Sequence, residues 1–273
     1  MNLEPVTQKS LFGLDEEFYE LVKLFKKEKL PNKILLSGPK GFGKCTLAYH
    51  LTNFILSKDE ILPYDLDNKL INENNKSFKL VNNKTHPNFY LLDTNFEKKN
   101  IEINQIRDLI KDLNKSSFNS KPRIVLIDNI ENLNKNSINA LLKVLEEPNL
   151  NIYFILINND KKVLSTLKSR CLNFRISLSN SESSKIIEQL LADNLSASIK
   201  NNLINYYITP GNIYNVIKLL KLNDIDFDNK NLIKVLLMII DKSFAKKNFG
   251  YKYIIYDLFE IYLSSKRTFK NMN

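Results

Sequence analysis

The amino-acid sequence predicts an α/β protein: a parallel five-stranded sheet with flanking helices, carrying a phosphate-binding loop and followed by helices alone. Three observations lead there. Short apolar strand candidates alternate with helical stripes as far as Ile176, the pattern of a parallel sheet covered on both faces. The first strand runs straight into a glycine loop that opens a helix, Gly38-Pro39-Lys40-Gly41-Phe42-Gly43-Lys44-Cys45. From Leu178 onward no strand candidate remains.

The elements follow in order. Asp15 to Lys29 is expected to be helical, because Phe18, Leu21, Val22 and Phe25 share one stripe and Pro31 follows its end. Ile34-Leu35-Leu36 reads as a short buried strand, and Lys44 to Leu56 as a helix with Leu47, Leu51 and Phe54 at helical spacing. Ser57 to Lys84 is polar, rich in Asn and Lys and without clear period, so it reads as a long surface loop. Phe89 to Leu92 is the second strand, and Ile103, Ile106, Ile110 and Leu113 mark the next helix. Arg123 to Asp128 is an apolar strand ending in a carboxylate. Ile138, Leu141, Leu142 and Leu145 form a helical stripe stopped by Pro148. Tyr153 to Ile157 and the shorter Leu172 to Ile176 complete the sheet. Helices are expected at Ser181 to Ala192, Ala197 to Tyr207, Ile213 to Leu222, Asn229 to Lys246 and Tyr251 to Ser264. The expected division is residues 1–177, 178–222 and 223–273.

The glycine loop matches G-x-x-x-x-G-K-[S/T] except at its last position. In that pattern backbone N–H groups and the Lys hold phosphates, and the final hydroxyl binds Mg²⁺. Here that position is Cys45, and a thiol is a poor ligand for a hard cation. Gly38, Gly41, Gly43, Lys44 and Thr46 still supply a phosphate nest at a helix N-terminus. Asp128, at the carboxyl end of its strand, fits the second nucleotide-site motif. The next residue is ordinarily Glu, the base that orients the attacking water. Asn129 stands there instead, and a neutral amide cannot take a proton. Glu131, two residues on, is expected to point elsewhere. Cys45 and Asn129 together suggest a nucleotide fold that has stopped turning over nucleotide.

Two long motifs carry a family resemblance. Asn139-Ala140-Leu141-Leu142-Lys143-Val144-Leu145-Glu146-Glu147-Pro148 and Thr166-Leu167-Lys168-Ser169-Arg170-Cys171 resemble those of clamp-loader subunits of the AAA+ superfamily. Leu11-Phe12-Gly13, Leu30-Pro31-Asn32-Lys33, His86-Pro87 and Ile101-x-Ile103-x-x-Ile106-Arg107 are similar to bacterial DNA polymerase III delta-prime subunits in particular. The likeness covers about residues 11 to 220. It implies an AAA+ P-loop nucleotide-binding fold, a helical lid domain and a helical collar. It also implies a stator role in a five-subunit ring with gamma/tau ATPases and delta, loading a sliding clamp onto primer-template DNA. The family's Ser-Arg-Cys arginine, here Arg170, is then an arginine finger offered to a neighbour's ATP.

The departures bear on ligands. Relatives often carry a four-Cys zinc module after the first helix, but Ser57 to Lys84 holds no Cys, so no zinc is expected. Gly211-Asn212-Ile213-Tyr214-Asn215 lacks the second sensor arginine of active subunits. Asn158 and Asn159 both suit the first sensor. Only about 50 residues follow Leu222, an abbreviated collar. No cofactor is assigned for certain; ATP or ADP bound without hydrolysis is the ligand expectation. The alternative is an active gamma/tau-like ATPase, which calls for Ser or Thr at position 45 and Glu at 129.

Bulk composition excludes other classes. No apolar run approaches a membrane span, and Met1 to Ser10 has no signal core. Cys45 and Cys171 are far apart, so a reducing cytoplasm is expected rather than a disulfide framework. The net charge of +10 is carried almost wholly by Lys, alongside abundant Asn and Ile. AT-rich coding produces that set, so the charge is weak support for a nucleic-acid surface.

Overall fold

The computed structural model describes residues 4–93, 100–115, 121–146, 151–190, 209–215 and 237. The chain divides into two compact units, residues 1–39 with 43–177, and residues 40–42 with 178–273.

The first unit is built on five parallel strands. They are β1 (Lys33–Ser37), β2 (Phe89–Leu92), β3 (Arg123–Ile127), β4 (Ile152–Asn158) and β5 (Leu172–Arg175), in the spatial order β2-β3-β4-β1-β5. This is the sheet the alternation predicts. All five residues of β3 are buried, as are four of five in β1. Strands covered on both faces read as unbroken apolar runs, which is why these two were legible. The edge strand β5 is mostly exposed.

Helix α1 (Asp15–Lys26) is one turn shorter than its stripe suggests, because the chain turns at Lys27 and Glu28, the latter with φ of 56°. Helix α2 (Lys44–Leu56) has the expected limits, and Leu47, Ala48, Leu51 and Ile55 are buried along it.

The interval Ser57 to Lys84 corrects the sequence reading. It is not a plain surface loop: Tyr64, Ile71, Asn75 and Val81 are buried, and α3 (Lys76–Asn82) forms within it. Asn75 is wholly buried and organises the segment. Its Oδ1 accepts from the Phe78 N–H at 2.8 Å, capping α3, and from Asn53 Nδ2 at 3.1 Å; its Nδ2 donates to the Leu62 carbonyl at 2.7 Å. Glu60 accepts from the N–H groups of Lys76 and Ser77 at 2.9 and 3.1 Å. Acceptors at the N-terminus satisfy otherwise orphaned helix donors.

Helix α4 (Ile103–Asn114) opens on a capping box between Glu102 and Gln105 and buries Ile106, Leu109 and Leu113. Helix α5 (Lys135–Glu146) buries Leu141 and Leu145. Both pack with β3 and β4 into one apolar cluster. The short α6 (Ser165–Lys168) leads into β5.

In the second unit, α7 (Asn180–Leu190) buries Ile186 and Ile187, and residues 210–215 are helical. The remaining helices expected between Ala197 and Ser264, the segment 223–273 and Pro148 lie outside the described residues, apart from residues 209–215 and 237. Among the described residues no helix is long and apolar enough to cross a membrane.

Candidate functional site

Strand β1 ends at Ser37, and the loop leaves it through glycines whose φ angles are 146° (Gly38), 87° (Gly41) and 79° (Gly43). Gly38 is obligatory on space alone, since a Cβ there would stand 2.3 Å from the Ile176 carbonyl oxygen. Gly43 caps α2, and its carbonyl takes the first helical bond, from the Leu47 N–H at 2.8 Å. Lys44, Cys45 and Thr46 form the first turn; Lys44 is buried and the other two are half-buried.

The Lys44 ammonium is turned back on its own loop. Its Nζ donates to the carbonyls of Gly38 at 2.9 Å and Pro39 at 2.6 Å. Burial lowers its pKa to about 8, against the opposing charges of Asp128, Glu131 and Asp160.

Cys45 and Asp128 are brought together and share a side-chain hydrogen bond. Burial, then the negative charges of Asp128 and Asp93, push the Cys45 thiol well above its ordinary pKa, so it stays protonated. Burial, then Asp93, raises Asp128 to about 6, while the Asn129 N–H, donating to Oδ1 at 2.8 Å, holds it down. A magnesium shell in a loop of this kind draws on a hydroxyl at position 45. A protonated thiol bonded to the Asp128 carboxylate does not fit that role, and among the described residues no group of three or more His, Cys, Asp or Glu could hold a metal.

Asn129 adopts the left-handed conformation, with φ of 57°. Its Nδ2 donates to Asp93 Oδ1 at 3.2 Å, and its Oδ1 accepts from Asn159 Nδ2 at 2.8 Å. Asn159 also donates to Glu131, from Nδ2 at 3.0 Å and from its backbone N–H at 3.4 Å. Glu131 therefore does not point elsewhere, as the sequence reading had it: the short helical turn Ile130–Asn132 brings its carboxylate back onto the Asn159 amide. Asn158 behaves differently. It is buried, and its Nδ2 donates to the Lys161 carbonyl at 3.1 Å.

Asp93 was absent from the sequence-derived site, Glu131 was set aside there, and Asn159 was one of two candidates for the first sensor. The three lie far apart in the chain. They meet because β2, β3 and β4 are neighbours, with Leu92 opposite Ile127 and Ile127 opposite Leu156. Their carboxyl ends thus share one edge of the sheet, where ligands of open α/β sheets bind. A second pair spans β1 at that edge: Arg175 donates to Asp160 from both terminal nitrogens, at 3.0 and 3.1 Å.

Arg170 follows α6. Its Nη1 donates to the Thr166 carbonyl at 2.8 Å and its Nη2 to Glu146 Oε1 at 2.6 Å. The side chain is one-third exposed, at 33%. Among the described residues its hydrogen bonds reach no group of the phosphate loop. Within the second unit, the Gly211 N–H donates to the Gly41 carbonyl at 2.9 Å, and a Cβ on Gly211 would stand 2.9 Å from Gly41 Cα.

Comparison with known proteins gives the family and the fold. A family model described as "DNA polymerase III, delta subunit" matches residues 14–180. The DNA polymerase III subunit delta' of Buchnera aphidicola subsp. Baizongia pistaciae is 33% identical over 52% of this chain and 42% of its own length. The DNA polymerase III subunit gamma of Buchnera aphidicola subsp. Schizaphis graminum is 31% identical over 56% of this chain and 40% of its own. The chain thus spans less than half the length of these curated relatives. Domain III of the replication initiation protein DnaA from Thermotoga maritima shares the fold at a TM-score of 0.50 and 15% identity, over 88% of this chain and 98% of that one. The fold is the AAA+ P-loop fold, and the chain belongs to the DNA polymerase III delta subunit family as a delta-prime-like clamp-loader protein.

Proposed function

We propose that this chain is a stator subunit of the DNA polymerase III clamp loader that does not hydrolyse ATP itself. In this reading it braces a ring with gamma/tau ATPases and delta, and helps place the sliding clamp on primer-template DNA. Arg170 is the group it offers to a neighbour's ATP. A guanidinium fixed beside a γ-phosphate stabilises the charge that develops during transfer. The setting is cytoplasmic, with a nucleotide domain at 1–177, a lid at 178–222 and a collar segment at 223–273.

The observation that carries the reading is the pairing of Asn129. The side chain at the base position is an amide, and both its ends are occupied, by Asp93 and by Asn159. It can neither accept a proton from water nor turn freely toward one. Cys45 compounds the defect through its bond to Asp128. ATP or ADP is held weakly, through Gly38, Gly41, Gly43, Lys44 and Thr46, without Mg²⁺ or zinc. Asn159, which faces Asn129, rather than Asn158, takes the place of the first sensor.

One observation favours the alternative, an active gamma/tau-like ATPase: Glu131 supplies a carboxylate two residues from Asn129 and bonds the same Asn159. An ATPase assay of the chain alone, then mixed with the other loader subunits, decides. Turnover of about 1 per second or more by the chain alone, abolished by Lys44→Ala, is the result that sinks the stator reading.

A further inference from the structure

We propose that Glu146 is a positioning residue for Arg170, holding its guanidinium in one orientation with an open edge toward a phosphate group on a neighbouring chain. The inference rests on the reading of Arg170 as a group donated in trans.

The geometry is a two-point hold. Nη2 is fixed by the Glu146 carboxylate at 2.6 Å and Nη1 by the Thr166 carbonyl at 2.8 Å. These anchors come from separate elements, the last residue of α5 and the short α6. A guanidinium is planar and carries five N–H donors in a rigid fork. Two partners at two different nitrogens fix the plane as well as the position, which one partner would not do. Among the described residues three of its N–H groups take no partner, and the side chain is 33% exposed, so part of the fork is open to solvent. A bidentate anion can be taken up without breaking either anchor. Glu146 also closes α5, whose C-terminal carbonyl end favours a cation beside it.

An exposed ion pair by itself contributes little to stability. Glu146 is 51% exposed on its side chain, so its removal should leave the fold intact. Orientation is a different matter, because a transition-state contact displaced by about 1 Å can lose up to about 100-fold in rate.

The test is a reconstituted loader carrying this chain as wild type, Glu146→Ala, Glu146→Gln, Arg170→Ala or the Glu146→Ala/Arg170→Ala double variant. ATP turnover is measured as kcat and KM separately. Glu146→Ala is expected to lower kcat about 3-fold or more, short of the Arg170→Ala loss, with KM unchanged. Glu146→Gln, which keeps an acceptor oxygen, is expected to restore most of it. The double variant should be no slower than Arg170→Ala, because Glu146 acts through that arginine. Wild-type kcat in Glu146→Ala beside a slow Arg170→Ala loader overturns the positioning role alone. So do losses that multiply in the double variant. A wild-type rate in Arg170→Ala overturns the trans reading of Arg170, and this proposal with it.

Discussion

Asn159 Nδ2 donates to Asn129 Oδ1 at 2.8 Å, tying the end of β4 to the residue that follows β3 and Asp128. The same nitrogen reaches Glu131, and Asn129 reaches on to Asp93. Two bonded amides lie between two carboxylates across the edge of three strands, so the Asn129 and Asn159 amide donors each meet an acceptor. Replacing Asn129 by Glu would remove the donor to Asp93 and set two carboxylates against each other. Asn129→Glu is therefore expected to lose about 1–3 kcal/mol of stability, read by urea unfolding. It should not confer ATP turnover, because Cys45 is unchanged. A variant as stable as wild type would show the network to be dispensable.

The raised pKa of Asp128 has a sign that can be checked. Its ordinary value is 3.8 and its folded value about 6. The folded state holds the proton more tightly, so stability from this group is present below pH 3.8 and is lost as pH rises through 6. Asp128→Asn, which keeps an acceptor for the Asn129 N–H, is expected to be more stable than wild type at pH 7, by up to about 2–3 kcal/mol. The difference should vanish toward pH 4. His50 works the other way: burial lowers it to about 3, so its contribution is lost as pH falls below 6.5. The comparison must therefore be variant against wild type at each pH, since His50 is common to both. A gain that does not depend on pH would assign the effect to something other than ionisation.

The segment between α2 and β2 is organised by the hydrogen bonds of the buried Asn75. Asn75→Ala removes the α3 cap and strands the Asn53 amide and the Leu62 carbonyl. A loss of about 2–4 kcal/mol is expected, measured by chemical denaturation, while EDTA leaves the wild type unaffected. Stability unchanged in Asn75→Ala, or a fall with EDTA, would refute this account of the segment.

Nucleotide affinity should be weak and independent of Mg²⁺. The Lys44 ammonium must leave the Gly38 and Pro39 carbonyls before it can meet a phosphate, and position 45 brings no oxygen. Calorimetry with ADP or ATP should give similar heats with and without Mg²⁺. Tight binding that needs Mg²⁺ would contradict the reading of Cys45.

The sheet was legible because the centres of β1 (Ile34, Leu35, Leu36) and β3 (Ile124, Val125, Leu126, Ile127) are buried unbroken runs of Ile, Leu and Val. The glycine loop was legible because its φ angles and the close approach of Ile176 leave few residues possible. Helix α3 was not, because seven residues are too few to show a period and its anchor is a wholly buried Asn. Asp93, Glu131 and Asn159 were missed as partners for a topological reason. They are far apart or out of phase in the chain and meet only through the strand order β2-β3-β4. The Glu146 contact to Arg170 spans 24 residues and was equally silent, although both motifs were recognised.

The most direct test of the account compares two substitutions in the assembled loader. Lys44→Ala disables this chain's own phosphate loop, and Arg170→Ala removes the group it offers to a neighbour. The measurement is ATP turnover, with clamp transfer to primed DNA, in loaders rebuilt with each variant. The account predicts that Lys44→Ala leaves turnover at the wild-type rate. Arg170→Ala should reduce it, by as much as about 10³-fold at the site served and partially in the ring's total. A loader slowed by Lys44→Ala and indifferent to Arg170→Ala would contradict it, making this chain a motor rather than a stator.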